Sequence, residues 1–271
     1  MSSPAAMPRL QSVLLELGRV VVGFSGGADS AFLASVAHRT LGPEAVVCVT
    51  AVSPSLAPSD LAHCRALAEE WELDWRPVAT SEMDDPLYVA NGADRCARCK
   101  DALMTALAPI AAPDGAIVVL GVNTDDLGDY RPGQVAAAAA GARFPLVEAG
   151  LAKAHVRELS KELGLRTWDR PPGACLASRL PYGTPVTVQR LRAVDVAESG
   201  LRALGLRTLR VRHHGVVARV EVAQSELDVV WSRREEVVEA VRAAGYDFVT
   251  LDLEGFRSGS MNRLLRRSAG A

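Results

Sequence analysis

Val20-Val21-Val22-Gly23-Phe24-Ser25-Gly26-Gly27-Ala28-Asp29-Ser30 is the stretch on which the fold turns. Three β-branched residues read as a buried parallel strand, stopped by a Ser-Gly-Gly turn. An apolar helical pattern begins at once with Ala31, Phe32, Leu33 and Val36. Strand, glycine turn and helix start are the parts of a phosphate cradle. Glycine lets backbone approach closely, and a helix N-terminus offers free N–H donors at the positive end of a dipole. Ser25 and Ser30 add hydroxyl donors. Asp29 would repel a phosphate, so its place calls for a magnesium ion or a hydrogen-bonded turn. No Gly-Lys-Ser/Thr follows, so this is not a Walker A loop. On the glycines alone, a turn without any ligand stays open.

Outward from this stretch, further strands are predicted at Ala45–Val52, Asp74–Thr80 and Ala116–Val122. Helices alternate with them: residues 10–18, then Leu61–Trp71 capped by Ser59-Asp60, then Cys96 to about Ala108. That alternation predicts an α/β domain with a parallel sheet covered on both faces. Ligands on such sheets collect at the carboxyl ends of the strands, which brings Ser25, Ser53 and Asn123 to one crevice. The run Asn123 to Gly133 carries Asp125, Asp126 and Asp129, suited equally to magnesium or to capping. After Thr184-Pro185 the pattern changes. A helix (Val188–Ala203), two strands (Leu209–His213 and Val216–Val222), a helix (Glu226–Ala244) and a last strand (Phe248–Leu253) predict a smaller α+β domain. The expected domains are therefore 1–184 and 185–271.

The totals narrow the class. A chain of 271 residues with net charge −2 carries no general attraction to nucleic acid. No apolar run approaches the roughly 20 residues of a membrane span. The first residues lack the apolar core of a secretory signal, which sets a cytoplasmic location as the expectation. Five cysteines, two in Cys96-Ala97-Arg98-Cys99, favour metal or redox chemistry over structural disulfides. Arg95, Arg98 and Lys100 around that pair argue against a core position, and no second Cys-Xaa-Xaa-Cys completes a zinc site. A third thiol, Cys175, follows Pro171-Pro172-Gly173-Ala174. Three cysteines leave one iron of a four-iron cluster open, a reactive arrangement. Cys48 and Cys64 read as packing residues. Arg210 and Arg212 alternate along one strand face and can form an anion fork, or a solvated face paired with acids.

The Ser-Gly-Gly-Ala-Asp-Ser string resembles the pyrophosphate loop of the PP-loop ATP pyrophosphatases, with their adenine nucleotide α-hydrolase-like fold. Together with Gly121-Val122-Asn123, the run Asp125 to Gly133, Ala174-Cys175-Leu176-Ala177-Ser178-Arg179, Arg210-Val211-Arg212 and Leu251 to Ser260, nearly the whole chain resembles the LarE family. The resemblance implies an ATP-dependent sulfur transferase of nickel-pincer cofactor biosynthesis. Such an enzyme adenylates carboxylates of pyridinium-3,5-biscarboxylic acid mononucleotide, releases pyrophosphate and makes thiocarboxylates. It implies ATP on Ser25, Gly26, Gly27, Asp29, Ser30, Asn123 and Asp125, Mg²⁺ near Asp29, and phosphate charge met by Lys100 and Arg179. Arg210, Arg212, Arg257 and Glu198 are the implied substrate residues. Cys175 is the implied catalytic cysteine, and Cys96, Cys99 and Cys175 match the members that hold a [4Fe-4S] cluster. The implied partners are the nucleotide substrate, a sulfide donor, a downstream nickel-inserting enzyme and further copies of the chain, with no nucleic acid or membrane. A tRNA thiolase and an ammonia-using amidotransferase are the rival classes.

Overall fold

A computed structural model describes residues 3–128, 132–171, 173–257 and 260–261. Asp129, and the polar tail expected from Ser258 except for residues 260 and 261, lie outside the described residues. The chain forms two compact units.

Unit 1 comprises Met1–Glu82 and Cys96–Gly173. Its centre is β1 (Val20–Gly23), flanked by β2 (Val46–Val52) and β4 (Ile117–Leu120), with β3 (Asp74–Ala79) outside β2. Every pairing is parallel, and Val22 lies in register with Cys48 and Val119. Successive side chains on a strand point to opposite faces, so the three valines of β1 divide between two cores. Val20 and Val22 pack with Leu10 and Leu14 of α1 (Ser3–Leu17), Phe32 and Leu33 of α2 (Ala28–Leu41), Leu67 of α3 (Pro58–Glu70) and Val156 of α8 (Lys153–Glu162). Val21 packs on the other face with Leu103 and Leu107 of α5 (Arg95–Ala111) and Ala137 of α6 (Pro132–Ala139). The parallel sheet covered on both faces is the architecture that the alternation predicted. Cys48 and Cys64 are fully buried packing residues, and burial pushes the Cys48 thiol up to about 12. One boundary differs. Ala57, not Ser59 or Asp60, is the N-cap of α3, because Pro58 is preorganised for the first helical turn.

Unit 2 comprises Met83–Arg95 and Ala174–Ala271. It contains the short α4 (Pro86–Val89), α9 (Val188–Ala203), and a three-stranded sheet of β5 (Leu209–His214), β6 (Val217–Val222) and β7 (Phe248–Leu251). β5 and β6 are antiparallel, and β7 lies parallel to β6. The helix expected over Glu226–Ala244 is broken into α10 (Leu227–Ser232) and α11 (Arg234–Arg242). Arg233 leaves helical geometry at φ −109°, ψ 26°, and its guanidinium donates to the Leu204 carbonyl at 2.6 Å. Ala197 and Leu201 of α9, Val237 and Val241 of α11, and Val211, Val220 and Val222 of the sheet form its core. The units part at Gly173–Ala174, upstream of Thr184-Pro185, because residues 174–184 bond within unit 2. Among the described residues no helix is long and apolar enough to cross a membrane.

Candidate functional site

The loop after β1 is fixed before any ligand is considered. The Trp75 indole donates to Thr50 Oγ1 (2.8 Å), which donates to the Phe24 carbonyl (2.6 Å), so β3 and β2 both set where the loop starts. Gly26 has φ +67°, and a Cβ there would lie 2.9 Å from His63 Cδ2 and 3.0 Å from Cys64 Sγ. Only glycine satisfies both conditions. His63 is pushed down to about 4 by burial and then by Arg170 and Arg166, so it meets the loop as a neutral ring at pH 7. Gly27 is the N-cap of α2 and supplies no capping side chain. The amides of the first helical turn, Ala28 to Ser30, lack intrahelical acceptors by the geometry of any helix start, and suit an anion. Ser25 is exposed, whereas the Ser30 hydroxyl faces inward. It accepts from the Ser25 amide at 3.2 Å, donates to the Gly27 carbonyl at 3.3 Å and lies 3.0 Å from Ser25 Oγ. Ser30 therefore closes the loop.

β4 approaches the same helix start. A Cβ at Gly121 would lie 2.8 Å from the Ser30 nitrogen, so glycine is what lets the strand end come this near. Asn123, fully buried, donates from Nδ2 to Asp29 Oδ1 (3.1 Å), accepts from the Asp125 amide (3.1 Å) and donates its own amide to Asp126 Oδ2 (3.3 Å). Burial raises the Asp29 carboxyl above its usual range against the Asn123 hydrogen bond, and Asp126 adds to the rise. Asp29 Oδ2 has no hydrogen-bond partner among the described residues, so the carboxylate has the polarity and the free oxygen a hard cation needs. Asp125 instead accepts the Lys153 amide at 2.9 Å at the start of α8, and Asp126 pairs with Lys153 Nζ at 2.9 Å. Of the two readings left open for these aspartates, capping and pairing are what the described contacts contain.

Cys96 and Cys99 lie one turn apart at the start of α5, the first exposed and the second partly so. Lys100 follows on the same helix, with its Cγ against Gly133 of α6. Cys175, in unit 2, is exposed and immediately precedes a 3₁₀ turn, Leu176–Arg179. Among the described residues no three His, Cys, Asp or Glu side chains gather as a metal-ligand set.

Unit 2 surrounds the Cys175 turn with arginines. Arg179 is buried and donates from Nη1 to the carbonyls of Ala174 (2.5 Å) and Cys175 (3.0 Å) and to Ser178 Oγ (3.2 Å). Its Nε and Nη2 form a two-point pair with Glu198 at 2.8 and 2.9 Å. Every guanidinium nitrogen of Arg179 thus has a partner inside unit 2, and two of those partners are the carbonyls of Ala174 and Cys175. Glu198 also accepts from Arg202 (2.7 Å) and the Val211 amide (3.1 Å). Arg212 pairs with Glu221 at 2.7 Å, donates to the Ser178 carbonyl at 3.1 Å and reaches Ser260 Oγ at 3.0 Å. Arg210 lies over the Phe256 ring at 5.1 Å and is pulled down to about 10 by burial and then by Arg179. Arg179, Arg202, Arg210, Arg212 and Arg219 thus gather around Glu198 and Glu221, with Asp252 at the edge on Arg219. This excess of guanidinium charge favours an anion nearby. Arg257 pairs with Glu254. Sequence reasoning missed Asn91 and Lys153, whose partners are distant in sequence, and Arg202, which meets Glu198 one turn away on the same helix, and took Arg95 for a surface charge although it is buried.

A parallel α/β sheet with an uncapped Ser-Gly-Gly-Ala-Asp-Ser loop at the carboxyl end of its central strand defines an ATP-utilising PP-loop protein. Residues 11–97 match the NAD synthase family. Over 260 residues the chain is 36% identical to the pyridinium-3,5-bisthiocarboxylic acid mononucleotide synthase of Lactiplantibacillus plantarum, covering 96% of this chain and 94% of that protein. The chain belongs to that synthase's family, the LarE family. It is also 42% identical over 264 residues to an uncharacterised protein of Synechocystis sp. (96% of this chain, 98% of the relative). A protein of Methanocaldococcus jannaschii, likewise uncharacterised, is 23% identical over 241 residues (89% of this chain, 91% of the relative).

Proposed function

We propose that this chain is an ATP-dependent sulfur transferase that converts pyridinium-3,5-biscarboxylic acid mononucleotide to its thiocarboxylate for a nickel-pincer cofactor. The observation that carries the reading is the open α2 start facing Asp29 and Asn123, in a chain so similar to the Lactiplantibacillus synthase. A substrate carboxylate oxygen attacks the α-phosphorus of ATP, the bond to the β-phosphate bridge breaks, and pyrophosphate leaves. Gly26, Gly27 and the amides of Ala28 to Ser30 cradle the phosphates, with Ser25 and Lys100 beside them. Asp29 would hold Mg²⁺, which would supply neutralising charge, and Asn123, held in turn by the Asp125 amide, keeps Asp29 in place. Positioning and charge neutralisation carry most of such a step. A sulfur nucleophile then attacks the acyl-adenylate carbonyl, and AMP leaves with the bonding pair. Cys175 is the residue that handles that sulfur. Cys96, Cys99 and Cys175, three exposed or part-exposed thiols, would hold a [4Fe-4S] cluster, which would supply sulfide for the transfer. Arg210, Arg212 and Arg257 take the substrate's phosphate and second carboxylate, and Glu198 serves them by holding Arg179. A sulfide donor, a downstream nickel-inserting enzyme and self-association complete the proposal, as do the functional domains 1–184 and 185–271.

The test is anaerobic turnover with ATP, the biscarboxylate mononucleotide and either sulfide or ammonium. Pyrophosphate release that needs the mononucleotide, with a thiocarboxylate product, is the expected result. An amide formed from ammonium would put the chain with the synthetases that its first hundred residues also match. Iron and sulfide analysis of the same preparation tests the cluster. Iron near zero, with a loss of about 34 Da at Cys175 after turnover, would make the cysteine itself the sulfur source.

Asn123→Ala should lower kcat/KM for ATP by about 10–100-fold, since it leaves Asp29 without its partner in a buried site. Raising Mg²⁺ should recover part of that loss, because the cation then orders Asp29. Steady-state pyrophosphate release over a Mg²⁺ series measures both, and a loss indifferent to Mg²⁺ would remove Asn123 from this role.

A further inference from the structure

Residues 83–95 leave the sheet unit and pack with unit 2, and the proposed reaction gives them nothing to do. We propose that Asn91 and Arg95 form a strap that positions the Cys175 turn, which makes both of them positioning residues for sulfur transfer. The proposal rests on the reading of Cys175 as the residue that handles sulfur.

Asn91 is fully buried and has φ +59°, a left-handed conformation that Asn tolerates better than most side chains. All of its polar groups are used. Nδ2 donates to the carbonyls of Pro181 and Thr184, both at 2.8 Å, and its own carbonyl accepts the Gly183 amide at 3.0 Å. Its amide donates to the Tyr88 carbonyl at 3.0 Å, and Oδ1 accepts Arg95 Nη1 at 2.7 Å. One residue before the α4 end, Tyr88 is itself buried, and Val89 accepts the Val186 amide at 2.8 Å. The strap therefore grips residues 181–186 from one side.

Arg95 carries the grip to the cysteine. It is 5% exposed, its Nη1 also donates to the Ala177 carbonyl at 2.9 Å, and its guanidinium lies over the Tyr182 ring at 5.6 Å. Arg179 holds the carbonyls of Ala174 and Cys175. The carbonyls at 174, 175 and 177 are thus fixed by two arginines, one from the strap and one from the turn itself. Both hold main chain and leave the Cys175 thiol exposed. That is what a transferring sulfur needs: a fixed place with an open approach, since small misplacements of a reacting atom cost large rate factors. A strap serving stability alone would make the same bonds but would not couple to sulfur transfer, which is what the test separates.

The variants are Asn91→Gly, which keeps the positive φ and removes the side chain, and Arg95→Lys, which keeps the charge and loses the fork. Three quantities are read on the full reduced chain: amide exchange over residues 176–186, the iodoacetamide rate at Cys175 relative to Cys99, and kcat and KM for sulfur transfer. Exchange should rise about tenfold or more and the Cys175 rate should move several-fold, with kcat down about tenfold and KM for ATP unchanged. Exchange and alkylation within twofold of wild type in both variants would overturn the strap. Faster exchange with kcat within twofold would reduce it to a fold support and overturn the positioning role. If Asn91→Gly does not fold, Arg95→Lys carries the same expectations. Sulfur transfer by Cys175→Ala would sink the underlying reading of Cys175 instead, a result distinct from any exchange outcome.

Discussion

Cys175→Ala is expected to abolish thiocarboxylate formation while pyrophosphate release in the presence of substrate stays within about threefold of wild type. The separation follows from how the turn is held. Arg179 grips the carbonyls of Ala174 and Cys175, and the Ser178 amide donates to the Cys175 carbonyl at 2.9 Å. None of these bonds uses the thiol, and the side chain is exposed, so alanine removes sulfur without removing structure. The groups proposed for adenylation, Ser25 to Ser30 with Asn123, all belong to unit 1. A nucleophile or sulfur ligand should therefore be lost alone, as expected for a residue acting only after activation. Coupled pyrophosphate assay and mass analysis of the product measure the two halves in one reaction. Thiocarboxylate at more than about a tenth of the wild-type rate would place the sulfur elsewhere.

The strand–turn–helix at Val20 to Ser30 was legible because its signals are local: a β-branched run, two glycines, then a helical period. The two-sided sheet followed from the same kind of reading. What was not legible depends on partners far away in sequence. Arg95 and Arg179 looked like surface or ligand charges, since arginine is rarely buried unless paired. Yet Arg95 meets a carbonyl 82 positions on, and Arg179 meets a carboxylate on a different helix. Nothing in the immediate neighbourhood of Asn91 announced a left-handed residue gripping Pro181 and Thr184. The break at Arg233 was hidden for the same reason, because the apolar period runs on through it while its guanidinium is drawn to Leu204. Asp125 and Asp126 fell between: spacing alone allowed capping or magnesium, and Lys153, 28 and 27 positions on, is a partner that neither reading named.

Glu198→Ala is expected to cost unit 2 about 3–5 kcal/mol, the penalty for breaking a buried ion pair and leaving its partner uncompensated. Against a total of roughly 5–15 kcal/mol for a domain, that loss is enough to unfold a large fraction of the unit. The carboxylate is fully buried and joins four donors: Nε and Nη2 of Arg179, Nη2 of Arg202 and the Val211 amide. Its loss releases Arg179, and with it the hold on the Ala174 and Cys175 carbonyls. Burial works to raise the Glu198 carboxyl, but the Arg179 hydrogen bond and charge, with Arg202 and Arg210, hold it below its usual range. A carboxyl depressed in the folded state contributes stability above its unfolded value and loses it as pH falls through its folded value. Wild-type unit 2 should therefore lose stability as pH falls below the ordinary carboxylate range. Glu198→Gln keeps the shape without the charge, so it should start less stable at pH 7 and show a flatter acid limb. Urea titrations across pH 3–8, followed by amide exchange in unit 2, resolve the two. An acid limb as steep in Glu198→Gln as in wild type would assign the acid lability to a group other than Glu198.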